Sequence, residues 1–201
     1  GVLRPGRPAW TSAEGEARTA IVEEAVRVGA PLRVLGVDAR VDEVRSLGWD
    51  GLELVLLRPS GATSRLRTPL AGRHQASNVA LAALLAGELG VAPDAVARGA
   101  ATTRWPGRAE TVRAVRPDGD GPRVILDGAH NPAAARALAA LLDETGTRPE
   151  LVLGVARDKD VAGIVAELVP RAIGVHATRA SLSPRALPPE ELAARVRSAG
   201  G

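Results

Sequence analysis

The hydrophobic positions in the first half of the chain predict helices and a β-hairpin. Apolar residues recur at helical spacing over residues 13–29, and the pattern stops at Gly29. Two β-rich runs, 51–57 and 64–70, flank the turn signal Pro59-Ser60-Gly61, which is typical of a hairpin. The other predicted elements of this half are strands at 8–11 and 32–35 and helices at 78–89 and 93–101, the last with Asp94 as a candidate cap.

The second half alternates strands and helices. Predicted strands occupy 123–126, 151–155 and 173–177, and predicted helices occupy 132–142, 161–168 and 189–197. This alternation with short connections predicts a parallel, three-layer α/β unit. Because Trp105-Pro106-Gly107 interrupts the pattern, we expect two domains, residues 1–104 and residues 105–201.

Composition removes several classes of function. The 201 residues include no Cys, Met, Phe or Tyr. Without Cys the chain has no disulfide framework, thiolate nucleophile or cysteine-ligated metal. With aromatic residues at only 1%, a nucleic-acid module that stacks bases is not expected. The absence of Met leads us to expect a chain that is processed or cut from a longer protein.

The charge pattern is basic without being clustered. The net charge is +3 and the pI about 10.7, and Lys159 is the single lysine among the 26 basic residues. Arginines alternate with acidic residues, which indicates a compositional bias and not a nucleic-acid surface. The longest apolar stretch, 79–87, is too short to cross a bilayer. The sequence therefore predicts a cytoplasmic protein without a nucleic-acid or membrane partner.

The segment Asp127-Gly-Ala-His130-Asn131-Pro132 carries the most chemistry. It leaves a predicted strand and enters a predicted helix at Pro132, where proline is tolerated in the first turn. Ligands of open α/β sheets bind at such carboxyl ends of strands, and helix N–H groups attract anions. A second interpretation stays open, in which Asn131 only caps the helix and Asp127 only forms the turn.

Arg108 lies in the rigid sequence Trp105-Pro-Gly-Arg108-Ala-Glu110 at the predicted domain boundary. A guanidinium presents a planar fork that suits phosphate. The alternative is an ordinary exposed arginine, one of many in this chain.

Gln75 and Asn78 are three residues apart at a predicted helix start, so they share a face or cap the first turn. Carboxamides can recognise an adenine edge because each has a donor and an acceptor. Simple capping by Ser77 or Asn78 is the alternative.

Lys159 lies in the charged run Arg157-Asp158-Lys159-Asp160, after the strand predicted at 151–155. A direct chemical role is one interpretation. The other is a solvated loop with Asp160 as the cap of the next helix.

These motifs, in this order, resemble the C-terminal half of the folylpolyglutamate synthase/dihydrofolate synthase family, in the Mur ligase superfamily. The matching segments are residues 1–8, His74-Gln-Ala-Ser-Asn78, Trp105-Pro-Gly-Arg108-Ala-Glu110, Asp127-Gly-Ala-His-Asn-Pro132, Asp158-Lys-Asp-Val161 and Pro184-Arg-Ala-Leu187. The resemblance implies an α/β fold with the C-terminal part of a central ATPase domain over 1–104. A Rossmann-like C-terminal domain would follow over 105–201, and both domains would be incomplete.

The resemblance also implies a reaction. ATP phosphorylates a carboxylate of dihydropteroate or a folate, and the amino group of L-glutamate attacks the acyl phosphate. Asn78, with Gln75 as a weaker candidate, would lie near the adenine, and Asp127 near the ribose. Arg108 would contact the phosphates and act in catalysis.

Three further residues would face the reacting groups. His130 would act in catalysis and bind substrate, and Asn131 and Lys159 would bind substrate. We expect a monomer that takes ATP and Mg²⁺ as cofactors and small-molecule substrates as partners.

Some of the family's parts are not found in the sequence. Its phosphate-binding Gly-Lys-Ser/Thr loop is absent from these residues. The Mg²⁺ ligands and the carbamylated lysine of relatives would precede residue 1, and the final strands would follow residue 201. We therefore expect the intact protein to be a ligase and this chain alone to be inactive. Two alternatives stay open, namely another Mur-type amide ligase with a different carboxylate acceptor and a non-catalytic nucleotide-binding α/β module.

Overall fold

The computed structural model describes residues 2–116 and 119–200. The chain divides into two compact units, Gly1–Trp105 and Pro106–Gly201, which are described in turn. None of the helices in the described ranges is both long and apolar enough to span a bilayer.

The first unit combines two small sheets with three helices. Its elements are β1 (Ala9–Thr11), α1 (Gly15–Val28), β2 (Leu32–Val34), β3 (Arg40–Ser46), β4 (Leu52–Leu57), β5 (Thr63–Thr68), α2 (Gln75–Glu88) and α3 (Pro93–Ala101). Strands β1 and β2 are parallel, and β3, β4 and β5 form an antiparallel sheet in that order. As expected, α1 ends at Gly29, which adopts a left-handed backbone conformation.

The core of the first unit lies between β4 and α2. Alternate residues of β4 are fully covered, namely Leu52, Leu54 and Leu56. The facing side of α2 is mostly small, with Ala76, Ala80 and Ala83 among its buried residues. Small side chains let a helix lie close to a sheet, which explains how a chain without Phe or Tyr packs this core.

Trp10, Arg33 and Glu88 link the parallel strands to α2. The indole Nε1 of Trp10 donates to Glu88 Oε1 at 3.4 Å, and the Arg33 guanidinium pairs with the same carboxylate. Arg33 also lies 5.8 Å from the centre of the Trp10 ring, within the range of a cation–π contact. One carboxylate on α2 therefore holds a residue from each of β1 and β2.

The structure corrects two sequence expectations in this unit and adds a strand. Strand β3 was not predicted, because an irregularity between Val41 and Val44 breaks its alternation. Helix α2 begins at Gln75, before the predicted start at 78, and no side chain caps it. Asp94 does not cap α3 but pairs with Arg98, one turn later, at 2.6 Å.

The second unit contains a hairpin, a parallel strand pair and three helices. Its elements are β6 (Glu110–Arg116), β7 (Gly119–Leu126), α4 (Pro132–Thr145), β8 (Glu150–Leu153), α5 (Val161–Leu168), β9 (Gly174–Ala177) and α6 (Pro189–Ser198). Strands β6 and β7 pair antiparallel, and β8 and β9 pair parallel across the α5 connection. The helices predicted at 132–142, 161–168 and 189–197 are confirmed as α4, α5 and α6.

The strand predicted at 123–126 does not join a parallel sheet in the described residues. As part of β7 it pairs antiparallel with β6, and the sequence analysis missed β6. The sequence from 117 to 122 is rich in Pro, Gly and Asp, which is typical of a hairpin connection, so the signal was present. The parallel arrangement is confirmed for β8 and β9.

The helices of the second unit pack on β8 and β9 through aliphatic residues. The buried set includes Leu153, Ile164, Leu168, Leu187 and Leu192. At the surface, Arg171 Nη2 lies 2.7 Å from Asp143 Oδ2 at the end of α4. This hydrogen-bonded arginine lowers the pKa of Asp143.

We predict that Gly51→Ala destabilises the first unit strongly. Gly51 has a φ of 106°, and a Cβ there would lie 1.9 Å from the Thr68 carbonyl oxygen. Backbone strain and collision together should lower the free energy of unfolding by about 3 kcal/mol or more. Urea unfolding followed by tryptophan fluorescence measures this, since all three tryptophans (Trp10, Trp49 and Trp105) lie in this unit.

Gly61→Ala is the matched control for this prediction. Gly61 also has a positive φ, 81°, but a Cβ there would meet nothing within 4 Å. We expect a loss of only about 1 kcal/mol from strain. If Gly51→Ala and Gly61→Ala lowered the free energy of unfolding equally, the close approach of residue 51 to Thr68 would have no energetic consequence.

Candidate functional site

The Arg108 loop and the Asp127 loop lie side by side in the second unit. The hairpin sets this arrangement, because Glu110 at the start of β6 pairs with Leu126 at the end of β7. Residues 107–109, just before β6, therefore lie beside residues 127 and 128, just after β7. Two motifs that are far apart in sequence meet at one end of the hairpin.

Hydrogen bonds join the two loops directly. The Ala109 N–H donates to Asp127 Oδ2 at 2.8 Å, and the Gly128 N–H donates to the Gly107 carbonyl at 2.8 Å. The other carboxylate oxygen of Asp127, Oδ1, accepts from the Ala129 N–H at 2.8 Å. The prediction that Asp127 forms the turn is confirmed. Each carboxylate oxygen can accept further bonds, so the turn does not exhaust its capacity.

The Arg108 loop has an unusual backbone. Gly107 has a φ of 69°, and Ala109 has a φ of 46° although it is not glycine. Ala109 is also only 8% exposed. A non-glycine residue in this region is strained and persists where its surroundings hold it, and strained residues of this kind cluster at functional sites.

The Arg108 side chain is exposed on this loop. Within residues 2–116 and 119–200, no hydrogen bond or ion pair joins its guanidinium to another side chain. Many other arginines are paired, as Arg98 and Arg171 are. A rigid loop therefore presents an uncompensated cation with all its donors available.

His130 and Asn131 follow Asp127 at the start of α4. Asn131 Oδ1 accepts from the Ala134 N–H at 2.8 Å, so the predicted helix cap is confirmed. His130 is exposed, and its Nδ1 lies 2.9 Å from the Gly128 carbonyl oxygen. Because a carbonyl oxygen only accepts, Nδ1 carries the proton in this bond. In the neutral ring, Nε2 is then the acceptor.

The Lys159 loop is held by its acidic neighbours. Asp160 Oδ1 accepts from the Gly163 N–H at 2.9 Å, which confirms Asp160 as the cap of α5. Asp158 Oδ2 lies 3.8 Å from Lys159 Nζ and 3.3 Å from Arg185 Nη1. The Arg185 carbonyl oxygen also accepts a hydrogen bond from the Arg157 N–H at 2.7 Å. The Lys159 loop and the segment around Arg185 therefore support each other.

Helices α4 and α5 begin next to one another. A Cβ on Gly163 would lie 2.6 Å from Pro132 Cγ and 2.7 Å from Asp160 Oδ2. The first turn of α5 thus contacts the first turn of α4 at a position that accommodates only hydrogen. The loops after β7 and β8, which carry His130 and Lys159, end at neighbouring helix starts.

Gln75 and Asn78 lie in the first unit. Asn78 Nδ2 donates to Gln75 Oε1 at 2.9 Å, so the two carboxamides share a face, as predicted. Gln75 is buried at 6% exposure, and Asn78 is exposed. The alternative in which Ser77 or Asn78 caps α2 is wrong. The bond uses the Asn78 amide nitrogen, so Asn78 Oδ1 remains available as an acceptor.

Sequence reasoning missed the role of two carboxylates. Glu110 Oε2 accepts from the Gly107 N–H at 2.9 Å, and Asp158 contacts both Lys159 and Arg185. A Glu three residues after a turn residue can reach back to its N–H, as in a capping box, and this spacing was visible. Nothing in the sequence indicated that Arg185 lies beside Asp158.

Residues 107–201, which carry both loops, match the family described as Mur ligase, glutamate ligase domain. The second unit is therefore similar to the glutamate ligase domain of Mur ligases. Arg108, Asp127, His130, Asn131 and Lys159 all lie within the matched residues.

The similarity extends into the first unit. A dihydrofolate synthase/folylpolyglutamate synthase of Mycobacterium tuberculosis is 40% identical over 158 residues, which are 74% of this chain and 31% of that protein. Crystal structures of Mycobacterium tuberculosis folylpolyglutamate synthase complexed with ADP and AMPPCP match with a TM-score of 0.83 and 33% identity, over 95% of this chain and 43% of the other.

A third relative is a bifunctional folylpolyglutamate synthase/dihydrofolate synthase with Mn, AMPPNP and L-glutamate bound. It matches with a TM-score of 0.71 and 28% identity, over 96% of this chain and 44% of the other. The resemblance drawn from the motifs is therefore confirmed. The chain spans less than half the length of the relatives that it matches.

We predict that Gly163→Ala destabilises the second unit. Alanine favours a helix by about 1 kcal/mol over glycine, but here its methyl group would displace Pro132 or the Asp160 cap. Overpacking of this kind costs roughly 1–3 kcal/mol, so the net effect is a loss of about 1 kcal/mol. Urea unfolding followed by circular dichroism measures it.

Gly99→Ala in α3 is the control, because a Cβ there would meet nothing within 4 Å. Helix propensity alone should then stabilise the protein by about 0.5–1 kcal/mol. If both variants gained stability, the close contact between the starts of α4 and α5 would be refuted.

Proposed function

We propose that this chain supplies the C-terminal part of an ATP-dependent ligase that joins L-glutamate to dihydropteroate or a folate. The observation that carries the proposal is the exposed Arg108 guanidinium on a loop tied to Asp127. The Mur ligase match and the nucleotide and glutamate complexes of its relatives support the same function.

The division into units supports a domain assignment. In this proposal the chain before Trp105 is the C-terminal part of the central ATP-binding domain, and the chain from Trp105 is the glutamate ligase domain. The compact units separate after Trp105, and the family match begins at residue 107.

ATP would be bound through three kinds of polar group. Asn78, oriented by Gln75, offers a carboxamide that suits the adenine edge. Asp127 keeps acceptor capacity for ribose hydroxyls after its turn bonds are made. Arg108 offers a planar set of donors to the phosphates and would stabilise charge that develops during phosphoryl transfer.

The other substrates would meet His130, Asn131 and Lys159. A lysine ammonium suits a carboxylate such as those of L-glutamate. His130 has Nε2 available as an acceptor when Nδ1 is bonded to the Gly128 carbonyl, which fits a group that orients an incoming amine. Asn131 retains its amide N–H donors after its oxygen caps α4.

The proposed reaction has two steps. The substrate carboxylate attacks the γ-phosphorus of ATP, which releases ADP and forms an acyl phosphate. The glutamate amine then attacks the acyl carbon, phosphate leaves, and the nitrogen loses a proton as the amide forms. Among the described residues no group of three His, Asp or Glu side chains could hold a metal, and the proposal assigns no Mg²⁺ ligand to this chain.

The expected cytoplasmic location and monomeric state are part of the same proposal. It involves small-molecule substrates and no nucleic acid.

We predict that Arg108→Ala lowers kcat strongly. Removal of one group that stabilises transition-state charge costs a factor of about 10²–10³. The assay follows ATP-dependent addition of L-glutamate to dihydropteroate or tetrahydrofolate by the complete gene product. Arg108→Lys should recover part of the rate, because it keeps the charge and loses the fork.

Arg197→Ala is the matched control, since Arg197 is an exposed arginine in the last turn of α6. It should leave kcat unchanged. Unaltered activity in Arg108→Ala would exclude the proposed phosphate contact. Turnover only with another carboxylate would indicate a different Mur-type ligase, and nucleotide binding without any turnover would indicate a binding module.

A further inference from the structure

We propose that Glu110 is a positioning residue for Arg108. Its carboxylate holds the backbone on one side of Arg108 while Asp127 holds the backbone on the other. The inference rests on the proposed function, in which Arg108 contacts the phosphates of ATP.

The contacts surround Arg108 along the chain. Before it, the Gly107 N–H donates to Glu110 Oε2 at 2.9 Å, and the Gly107 carbonyl accepts from Gly128 at 2.8 Å. After it, the Ala109 N–H donates to Asp127 Oδ2 at 2.8 Å. Arg108 is thus attached to a peptide segment that is fixed at both neighbouring residues.

The backbone conformation explains why such attachment is needed. Gly107 and Ala109 both have positive φ values, 69° and 46°. Glycine gains many conformations when its bonds are lost, and Ala109 would relax to an ordinary φ. Without the Glu110 bond, the loop would reach conformations that present Arg108 in other directions.

Glu110 is well placed for this role and shows no other in the described residues. It is half-buried at the start of β6, and its recorded side-chain bond is the one to Gly107. Its register partner Leu126 immediately precedes Asp127. The two carboxylates that hold the loop therefore project from paired ends of one hairpin.

A positioning role and a purely electrostatic role for Glu110 predict opposite changes in phosphate affinity when its carboxylate is removed. If the carboxylate acted only through its negative charge, removing it would strengthen the binding of a phosphate to Arg108. If it acts by holding the loop, removing it weakens that binding, because an exposed arginine on a mobile loop must be ordered first. The sign of the change in affinity distinguishes the two.

The test compares Glu110→Ala with Glu110→Gln in the 201-residue chain labelled with ¹⁵N. Amide exchange at Gly107 and the backbone order parameter of Arg108 report on the loop. Titration of the complete gene product with ADP, with the same substitutions, reports on phosphate binding. We expect Glu110→Ala to accelerate exchange at Gly107 at least about tenfold, lower the order of Arg108, and raise the Kd for ADP at least about fivefold. Glu110→Gln keeps an acceptor oxygen and should restore all three readouts to within about twofold of the native chain.

Glu190→Ala is the control, because Glu190 is an exposed glutamate in the first turn of α6. It should change none of the readouts. The thermal unfolding midpoint of each variant distinguishes a disordered Arg108 loop from an unfolded domain. If Glu110→Ala unfolds the unit, the Glu110→Gln variant alone tests the proposal. A native order parameter at Arg108 and a native affinity for ADP in that variant support positioning by Glu110. Loss of either one overturns it.

Tighter ADP binding in Glu110→Ala, or unchanged order at Arg108, would overturn the proposal. If the complete gene product and its variants all failed to bind ADP, the proposed nucleotide contact would be wrong. The exchange and order measurements would still decide whether Glu110 holds the loop.

Discussion

A carboxylate that accepts hydrogen bonds from two separate loops organises this end of the second unit. Asp127 binds Ala129 in its own turn and Ala109 in the loop before β6, and so fixes the position of Arg108 relative to the start of α4. A charged acceptor makes stronger bonds to N–H groups than a neutral one, so a single side chain can hold the strained backbone at Ala109. Together with the bonds from Gly107 to Glu110 and from Gly128 to Gly107, Asp127 therefore holds the backbone that carries Arg108 beside the backbone that carries His130.

Much of the fold followed from periodicity. Helix α5 and the strands around it were predicted closely, because their short apolar runs are bounded by clear capping and turn residues. Strand β3 was not predicted because an irregularity interrupts its alternation of apolar and polar residues. Strand β6 was not predicted because its charged residues interrupt the apolar pattern that marks a strand. The partner of β7 depended on contacts between strands, which a single sequence encodes only weakly.

The sequence predicted the individual residues of the candidate site but not the hydrogen bonds that join its loops. The motif around Asp127 and Asn131 allowed a structural or a chemical interpretation, and the structure shows that the structural role leaves hydrogen-bonding capacity for a chemical one. The cap at Asp160 followed from its place before an apolar run. The bonds from Ala109 to Asp127 and from Arg185 to Asp158 join residues distant in sequence, and only folding reveals them.

The absence of a side chain at Gly163 has an electrostatic consequence. It allows the first turns of α4 and α5 to touch, so two helix macrodipoles present their positive ends at the same place. These ends would repel each other, and the Asp160 carboxylate, which caps α5, places a negative charge beside both of them. Neutralising that carboxylate would therefore expose a repulsion between the two helix ends, which salt would screen.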